Sequence, residues 1–367
     1  MKYLFILGRN IELSVEEIKS FFRRNNFNFK QVGISANGLL VETDSQIKDS
    51  VIESLGGTIS IGEVLAEGIE KKMFEELDKK NLYNTTGNKL NYILHDFDGN
   101  IDEVSSYLKK RFKEERLKAT EKKPTGNIKL QSGEIIKKTS SKLIDEEYFI
   151  FGNNFGRIVE SSNYEKIEER DMKKPVRRNE LSISPRLAKI LINLSEVREG
   201  ETLLDPFCGI GTILQEALLQ DIRVIGIDRD RDAVNNARIN LKWFGFDSSS
   251  YQLMNEDSSK IKTKRVQAIA TEPELGELQK GVPSEEKAKE ILRSFEGLMA
   301  KVLRNLKDNV NGKIVFTSPL ILTGRKRLAC NFESISTMTG LKIARGFPIN
   351  EFRDNSIVGR SIVVMER

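Results

Sequence analysis

The segment that most constrains the fold is a strand–loop–helix pattern at residues 202–219. A short apolar strand ends at Asp205, a loop containing Gly209 and Gly211 follows, and apolar residues at helical spacing come next. Glycine has no side chain, so the backbone of such a loop can approach a ligand closely. A second predicted strand ends at Asp228, about 20 residues beyond the glycines, where a carboxylate can accept hydrogen bonds from ribose hydroxyls. The pattern predicts a doubly wound α/β sheet that binds a nucleotide-like ligand.

The loop lacks the features that hold phosphate groups. Leu214 occupies the third glycine position of Gly-x-Gly-x-x-Gly, and no Gly-Lys-Ser/Thr follows. Asp205 lies where a pyrophosphate would come close, and its charge repels an anion but suits a cation. S-adenosylmethionine carries an ammonium and a sulfonium and no phosphate, and Asp-Pro-Phe-Cys-Gly-x-Gly-Thr resembles the first motif of the amino-methyltransferases. The alternative interpretation is a strand–turn–helix whose glycines serve only packing.

Composition limits the remaining classes of protein. A chain of 367 residues predicts two or three domains, and 31% charged with 38% hydrophobic residues is typical of soluble globular proteins. No apolar run approaches the roughly 20 residues of a membrane span, and the N-terminus lacks a signal-peptide pattern. Two cysteines and the single histidine, His95, exclude a disulfide framework and a site of several imidazoles. We expect a reduced, cytoplasmic protein without a metal site or a membrane partner, and a structural role for His95.

Sequence periodicity predicts an α/β protein in several blocks. Residues 1–52 form a ferredoxin-like α/β unit, 53–160 a second α/β domain, 161–180 a charged linker and 181–367 a Rossmann-like domain. In the first block, Ser14 precedes Glu17 by three residues, which predicts a capping box at a helix start. In the last block, Ser184-Pro185 predicts another helix start. The alternation of strands and helices beyond it indicates a mostly parallel sheet with ligands at the carboxyl ends of its strands.

The densest basic segment lies on a predicted helix over residues 101–115. Tyr107 and Phe112 interleave with its cations, which are Lys109, Lys110, Arg111 and Lys113. A solvated helix face is one interpretation. Contact with RNA is the other, because positive charge with interleaved aromatic rings suits a polyanion with bases. The net charge of +5 permits such a partner.

The whole chain resembles the THUMP-containing tRNA guanosine-N2-methyltransferases, the group that modifies position ten of tRNA. The resemblance is carried by the opening segment 3–18, by Gly56-Gly57-Thr58 before the second domain, and by Ser182-Ile183-Ser184-Pro185-Arg186 before the last domain. The match is closest over residues 205–212. It implies that 53–160 is a THUMP RNA-binding domain and that 181–367 is a class I methyltransferase domain. It further implies S-adenosylmethionine as cofactor and tRNA as partner, with an accessory protein subunit as a further possibility.

The resemblance also assigns roles to individual residues. Asp205, Cys208, Gly209 and Gly211 would hold the methionine end of the cofactor, Asp228 its ribose and Asp257 its adenine amino group. The predicted set of cofactor contacts is completed by Phe207, Thr212 and Arg229.

The chain departs from this family at the catalytic motif. Family members carry Asp-Pro-Pro-Tyr after the fourth strand, whereas this chain has Glu272-Pro273-Glu274-Leu275. In the family, a carboxylate and a backbone carbonyl accept hydrogens from the exocyclic amine of guanine, and the aromatic ring stacks on the extruded base. We expect Glu272, Pro273 and Glu274 to be catalytic, with Phe207 in the role of the missing ring. A buried pair of carboxylates would raise the pKa of one of them.

Three functions fit this departure. The protein methylates guanine N2 of tRNA by direct transfer with a rearranged pocket, it methylates rRNA or another base, or it binds RNA without catalysis. The otherwise intact cofactor motif favours an active enzyme.

Overall fold

The computed structural model describes residues 1–85, 87–99, 101–123, 127–129, 135–137, 143–177, 183–275, 281–353 and 356–367. Over these residues the chain divides into two compact units. The first comprises Met1–Val15 and Phe27–Glu169, and the second comprises Glu16–Asn26 and Arg170–Arg367. The predicted start of the last domain falls in residues 178–182, which lie outside the described residues. The domain boundaries and the THUMP assignment stay predictions.

The first part of the chain contributes the strands β1 (Lys2–Leu7), β2 (Phe29–Ser35), β3 (Gly38–Thr43), β4 (Thr58–Glu67), β5 (Lys89–Phe97), β6 (Lys118–Glu121), β7 (Asn127–Lys129), β8 (Ile135–Lys137), β9 (Glu146–Phe151) and β10 (Asn154–Ser161). Its helices are α1 (Ile11–Arg24), α2 (Glu70–Leu77), α3 (Ile101–Glu114) and α4 (Tyr164–Lys173), the last within the predicted linker.

The larger sheet of the first unit has the strand order β2-β3-β1-β4-β10-β9-β5-β6, and β7 and β8 form a separate antiparallel pair. Its strands pair antiparallel except that β5 runs parallel to β9 and β6. Helix α3 buries Val104, Leu108 and Phe112, which recur every four residues and so share one face. His95 lies on β5 as predicted, and its Nε2 is 3.0 Å from a carboxylate oxygen of Glu147 on β9.

The predicted capping box at Ser14 is wrong. Helix α1 begins before this residue, and the side-chain oxygen of Asn10 accepts a hydrogen bond from the N–H of Leu13 at 3.1 Å. The Ser14 hydroxyl instead donates to the carbonyls of Asn10 and Gly57 at 2.8 and 2.9 Å. Asn10 therefore supplies the N-terminal acceptor that the sequence pattern had assigned to Ser14.

The second unit contributes α5 (Pro185–Leu194), β11 (Thr202–Asp205), α6 (Thr212–Leu218), β12 (Arg223–Asp228), α7 (Arg231–Trp243), β13 (Tyr251–Asn255), β14 (Ala268–Thr271), α8 (Glu285–Leu306), β15 (Ile314–Thr323), β16 (Lys326–Leu328), α9 (Phe332–Thr339), β17 (Lys342–Ile343), β18 (Ile349–Glu351) and β19 (Val358–Glu366). The predicted start of α5 is confirmed, since Ser184 accepts a hydrogen bond from the N–H of Leu187 and Pro185 occupies the first turn.

The sheet of the second unit has the order β13-β12-β11-β14-β15-β19-β17. Strands β11 to β15 pair in parallel, and β19 runs antiparallel to β15. The predicted α/β class with a mostly parallel, Rossmann-like sheet is confirmed. Because parallel strands end at the same edge, residues that follow β11, β12 and β14 meet there.

The second unit also includes part of the N-terminal helix. Asn193 on α5 donates to Glu17 at 2.9 Å and accepts from Arg24 at 2.8 Å, and the Arg24 guanidinium donates to Gln220 as well. Burial lowers the pKa of Arg24 to about 10. Residues 16–26 are thus tied to the parallel sheet's helices by buried polar contacts. Across the described chain, no helix combines the length and apolar character that crossing a membrane requires.

Candidate active site

The glycine loop connects β11 to α6 and has a conformation that requires glycine. Gly209 and Gly211 adopt φ of 49° and 87°, in the left-handed region that L side chains rarely occupy. The loop is closed by hydrogen bonds from the N–H of Cys208 to Ile227 and from the N–H of Gly211 to Cys208. A Cβ atom on Gly209 would meet nothing within 4 Å. The backbone therefore borders open space at Gly209, where a ligand can come close.

Asp205 is a buried carboxylate at the end of β11. Its Oδ1 accepts hydrogen bonds from the Thr271 hydroxyl at 2.5 Å and from the N–H of Phe207 at 3.1 Å. Burial raises the pKa of Asp205 to about 7, the two hydrogen bonds oppose this shift, and the charges of Asp228 and Glu272 add to it. A nearby cation would stabilise the ionised form of this carboxylate, so the site suits a positively charged ligand.

Asp228 supports the same loop from β12. Its Oδ2 accepts from the N–H of Gly209 at 2.9 Å, and its Oδ1 accepts from the N–H of Asp230 at the same distance. Each carboxylate oxygen can accept a further hydrogen bond. The predicted ribose contact is compatible with this arrangement and stays a prediction.

The other predicted cofactor residues surround the loop in different environments. Phe207 is half-buried, Arg229 and Asp257 are exposed, and Cys208 is buried, which raises the pKa of its thiol. Accepting hydrogen bonds from Ser259 lowers the pKa of Asp257. The structure thus brings Asp205 and Asp228 onto the glycine loop and leaves Asp257 at the surface beyond β13.

Two buried residues that sequence reasoning missed fasten the glycine loop from outside. Lys174 is buried, and its ammonium donates to Asp171 at 2.6 Å and to the Thr212 hydroxyl at 3.3 Å. Asn240 on α7 donates to the carbonyls of Val176 and Ile210, each at 3.1 Å. Asn240 therefore joins the loop's backbone to the segment before α5, and Lys174 of that segment contacts the side chain at the start of α6. The only hint in the sequence was the Lys-Pro pair within the charged linker.

Glu272 follows β14 at the same edge and is held by a cation. Its Oε1 lies 2.5 Å from Nε of Arg360 on β19 and 3.3 Å from the hydroxyl of Thr317 on β15. Nη2 of Arg360 lies 3.4 Å from Oε2. Arg360 is a site residue that sequence reasoning missed, because nothing local marks it among the chain's many arginines.

The remainder of the divergent motif differs from expectation. Pro273 is buried but Glu274 is exposed, so the expected buried pair of carboxylates is absent. Glu272 directly follows the last residue of β14, whereas Glu274 lies two residues further on, outside the strand and in contact with solvent. Leu275 and Phe207 both pack, partly buried, against the core cluster beneath the sheet.

The basic segment lies on α3 in the first unit. Lys109 pairs with Glu121 at 3.0 Å and Lys110 lies 4.0 Å from Glu114, and both are exposed, as is Lys113. The guanidinium of Arg111 is occupied by bonds within the protein: it donates to the carbonyls of Leu77 and Lys80 and to Glu115. The outer face of α3 thus offers lysines for a polyanion, whereas Arg111 anchors the end of α2. Among the described residues, no group of three or more side chains is arranged to hold a metal ion.

Two family models match the chain. One, described as an RMKL-like methyltransferase domain, matches residues 174–311, which include the glycine loop and Glu272. The other, described as a DNA methylase, matches residues 58–238.

Curated relatives carry more specific names. The tRNA (guanine(10)-N2)-dimethyltransferase of Methanocaldococcus jannaschii is 26% identical over 336 residues, which are 85% of this chain and 89% of the relative. A probable tRNA (guanine(10)-N2)-dimethyltransferase of Methanothermococcus thermolithotrophicus is 32% identical over 142 residues, covering 36% of this chain and 79% of that protein. The corresponding enzyme of Methanothermobacter thermautotrophicus is 41% identical over 96 residues, 26% of this chain and just 28% of that enzyme's length.

Proposed function

Since the chain belongs to the tRNA (guanine(10)-N2)-dimethyltransferase family of S-adenosylmethionine-dependent enzymes, we propose that it methylates the exocyclic N2 amine of a guanine in tRNA. The observation that carries this proposal is the grouping of Asp205, Asp228 and Glu272 at the ends of three adjacent parallel strands. The charges of Asp228 and Glu272 both act on Asp205, so the three carboxylates lie close enough to serve one site.

The residues of the glycine loop fit the cofactor. The open side of Gly209 admits a ligand to the backbone, and the buried Asp205 would be stabilised in its ionised form by the cofactor's positive charges. When bound, S-adenosylmethionine supplies a methyl carbon whose bond to a sulfonium breaks with the electron pair left on sulfur. Asp205 and the loop amides would hold its methionine end, and the free acceptor capacity of Asp228 would hold its ribose.

Glu272 would activate the guanine amine. The lone pair of this amine is delocalised into the ring, so the amine is a poor nucleophile until acceptors localise it. The Glu272 carboxylate and the backbone carbonyl near Pro273 would accept its two hydrogens and orient the lone pair for in-line attack. The amine nitrogen forms the new bond to carbon, and the proton that it then loses passes to Glu272 or through it to water.

An aromatic ring to stack on the guanine is the missing part of the site. Leu275 cannot stack as tyrosine does, which loses roughly 1–3 kcal/mol of base–aromatic contact unless another ring supplies it. Phe207 packs against the same cluster as Leu275 and is half-buried. We assign the stacking role to Phe207.

The lysines of α3 would bind the tRNA backbone. Changing Lys110 and Lys113 together to glutamate should weaken tRNA binding about tenfold or more at low salt and flatten the dependence of log affinity on log salt. Fluorescence anisotropy over 50–200 mM salt would measure both effects. The matched control changes Lys287 and Lys289 of α8, which has the same effect on net charge. Equal losses in the two variants, or an unchanged slope, would remove α3 from the RNA interface.

The decisive test of the function is methyl transfer to unmodified tRNA transcripts, followed by nucleoside mass spectrometry. We expect N2-methylated guanosine, and none from a transcript whose guanine at position ten is replaced by adenine. Another methylated base, or product from rRNA alone, would change the substrate. Absence of product from a protein that binds the cofactor would favour an RNA-binding protein without catalysis.

A further inference from the structure

A side chain from β19 completes the environment of the proposed acceptor. We propose that Arg360 is a positioning residue, which binds Oε1 of Glu272 and offsets the charge of this carboxylate so that Oε2 accepts a hydrogen from the guanine amine. This inference rests on the proposed function for its substrate, while the ion pair itself rests on the structure alone.

The two carboxylate oxygens of Glu272 differ in the hydrogen bonds that they accept. Oε1 receives Nε of Arg360 at 2.5 Å and the Thr317 hydroxyl at 3.3 Å, which occupies the two acceptor positions of that oxygen. Oε2 receives only the long contact from Nη2 of Arg360, at 3.4 Å, among the contacts of the described residues. Oε2 is therefore the oxygen with acceptor capacity to spare.

Strand pairing explains why Arg360 reaches Glu272. In the antiparallel pair of β15 and β19, Arg360 lies opposite Pro319, two residues beyond Thr317 and so on the same face of the sheet. On its other side, Arg360 pairs with Glu351 of β18. The sheet register thus brings the guanidinium and the Thr317 hydroxyl to one side of the carboxylate, next to the carboxyl end of β14.

Burial makes the cation necessary. The Glu272 side chain is only 8% exposed, and removing a charged carboxylate from water is costly unless a cation lies beside it. Asp205 is a second acidic group near Glu272, and Glu351 acts on Arg360. Burial lowers the pKa of Arg360, but the charge and hydrogen bond of Glu272 outweigh this and raise it overall. Arg360 therefore stays charged and counters the local negative charge.

The same ion pair accounts for the longer acid of the divergent motif. Glutamate has one more rotatable bond than aspartate, so its carboxylate has more orientations to lose. Two donors from neighbouring strands, Arg360 and Thr317, remove that freedom. A carboxylate held in this way can accept from an amine without a pocket shaped for aspartate.

Arg360→Met and Arg360→Lys test the inference through the pH dependence of kcat. With methionine, we expect kcat at pH 7 to fall about a hundredfold, because the carboxylate is no longer held in position. The acidic limb of the profile should also move up by at least one pH unit, because loss of the cation favours the uncharged carboxyl. With lysine, the limb should stay near its wild-type position. Cofactor affinity should change less than about twofold in both variants.

The matched control is Arg327→Met on β16 of the same sheet, an arginine whose guanidinium donates to the carbonyl of Ser356, just before β19. It should lower the unfolding midpoint without moving the acidic limb. A loss of kcat in Arg360→Met that is equal at every pH would mean that the arginine is only structural, and would overturn the proposal.

Thermal unfolding without cofactor or tRNA gives an independent readout. The midpoint of Arg360→Met should fall more at pH 8 than at pH 5, and adding Glu272→Gln should restore much of the loss at pH 8. A loss that is independent of pH and is not rescued would overturn the ion pair. Rescue together with no methylation of tRNA by the wild-type protein would instead overturn the proposed function and, with it, the substrate named here.

Discussion

Asp205→Asn should abolish measurable cofactor binding and, at the same time, make the unliganded protein more stable at neutral pH. Asparagine retains a side-chain oxygen that can accept from Thr271 and from the N–H of Phe207, so the loop keeps its hydrogen bonds. It removes the charge that would bind the cofactor's cationic end, and we expect affinity to fall at least a hundredfold. Removing that charge also removes the free energy that a buried carboxylate costs the folded state.

The sign of the stability change follows from the pKa of Asp205. The ordinary aspartate pKa of 3.8 applies to the unfolded chain, and burial raises the pKa of Asp205 in the folded state to about 7. Between these values the folded protein binds more protons than the unfolded chain, so the free energy of unfolding falls as pH rises. The total loss is about 4 kcal/mol and is complete only above pH 7. Asparagine does not titrate, so the variant's advantage should grow from pH 5 to pH 8.

Calorimetric titration with S-adenosylmethionine and thermal unfolding at several pH values measure the two effects. Wild-type affinity should weaken below pH 7, by up to about tenfold per pH unit, because protonation of Asp205 removes the charge. Asp257→Asn is the matched control, since this carboxylate is exposed and its removal should give no gain in stability. An Asp205 variant with wild-type affinity would place the cofactor's positive end elsewhere. A stability difference that does not change between pH 5 and pH 8 would mean that folding does not raise the pKa of Asp205.

The parts of the site that were predictable are those encoded in consecutive residues. The strand, the acid and the two glycines of the loop occupy adjacent positions, and their backbone requirements are local, so residues 202–212 indicated both the fold and the ligand class. The same locality fixed the start of α5 at Ser184. The same kind of local pattern gave a wrong prediction at Ser14. Asn10 lies one turn earlier, and its side chain accepts the hydrogen bond at the start of α1.

The parts that were not predictable depend on strand pairing and on distant segments. Arg360 lies 88 positions beyond Glu272 in the chain, and only the register of β15 with β19 brings them together. Asn240 reaches the loop across the face of α7, and Arg24 reaches α5 from the N-terminal helix. The sequence shows how many arginines the chain has, but it does not show which of them pairs with Glu272. The burial of Glu272 and the exposure of Glu274 likewise depend on where each residue lies relative to the end of β14.

Glu272→Gln should lower kcat by about a hundred- to a thousandfold while cofactor affinity changes less than about twofold. Glutamine has nearly the same shape, so the contact with the Thr317 hydroxyl can persist, but it has no negative charge for the amine's developing positive charge. Glu274→Gln is the matched control, because it also removes one negative charge, from an exposed side chain two residues after Glu272. Single-turnover methyl transfer to tRNA, with binding of cofactor and of tRNA measured separately, distinguishes a chemical defect from a binding defect.

The comparison of these two variants decides which carboxylate acts. A large loss at Glu272 with near-normal turnover at Glu274 assigns the acceptor to the carboxylate that Arg360 holds. The reverse result would assign it to the exposed side chain, and the ion pair would then be structural. Glu272→Asp adds a test of geometry, since aspartate is the family's residue but is one methylene too short to keep Arg360 and still reach the amine. Lower activity with aspartate than with glutamate would mean that the ion pair with Arg360 requires the longer side chain of glutamate at position 272.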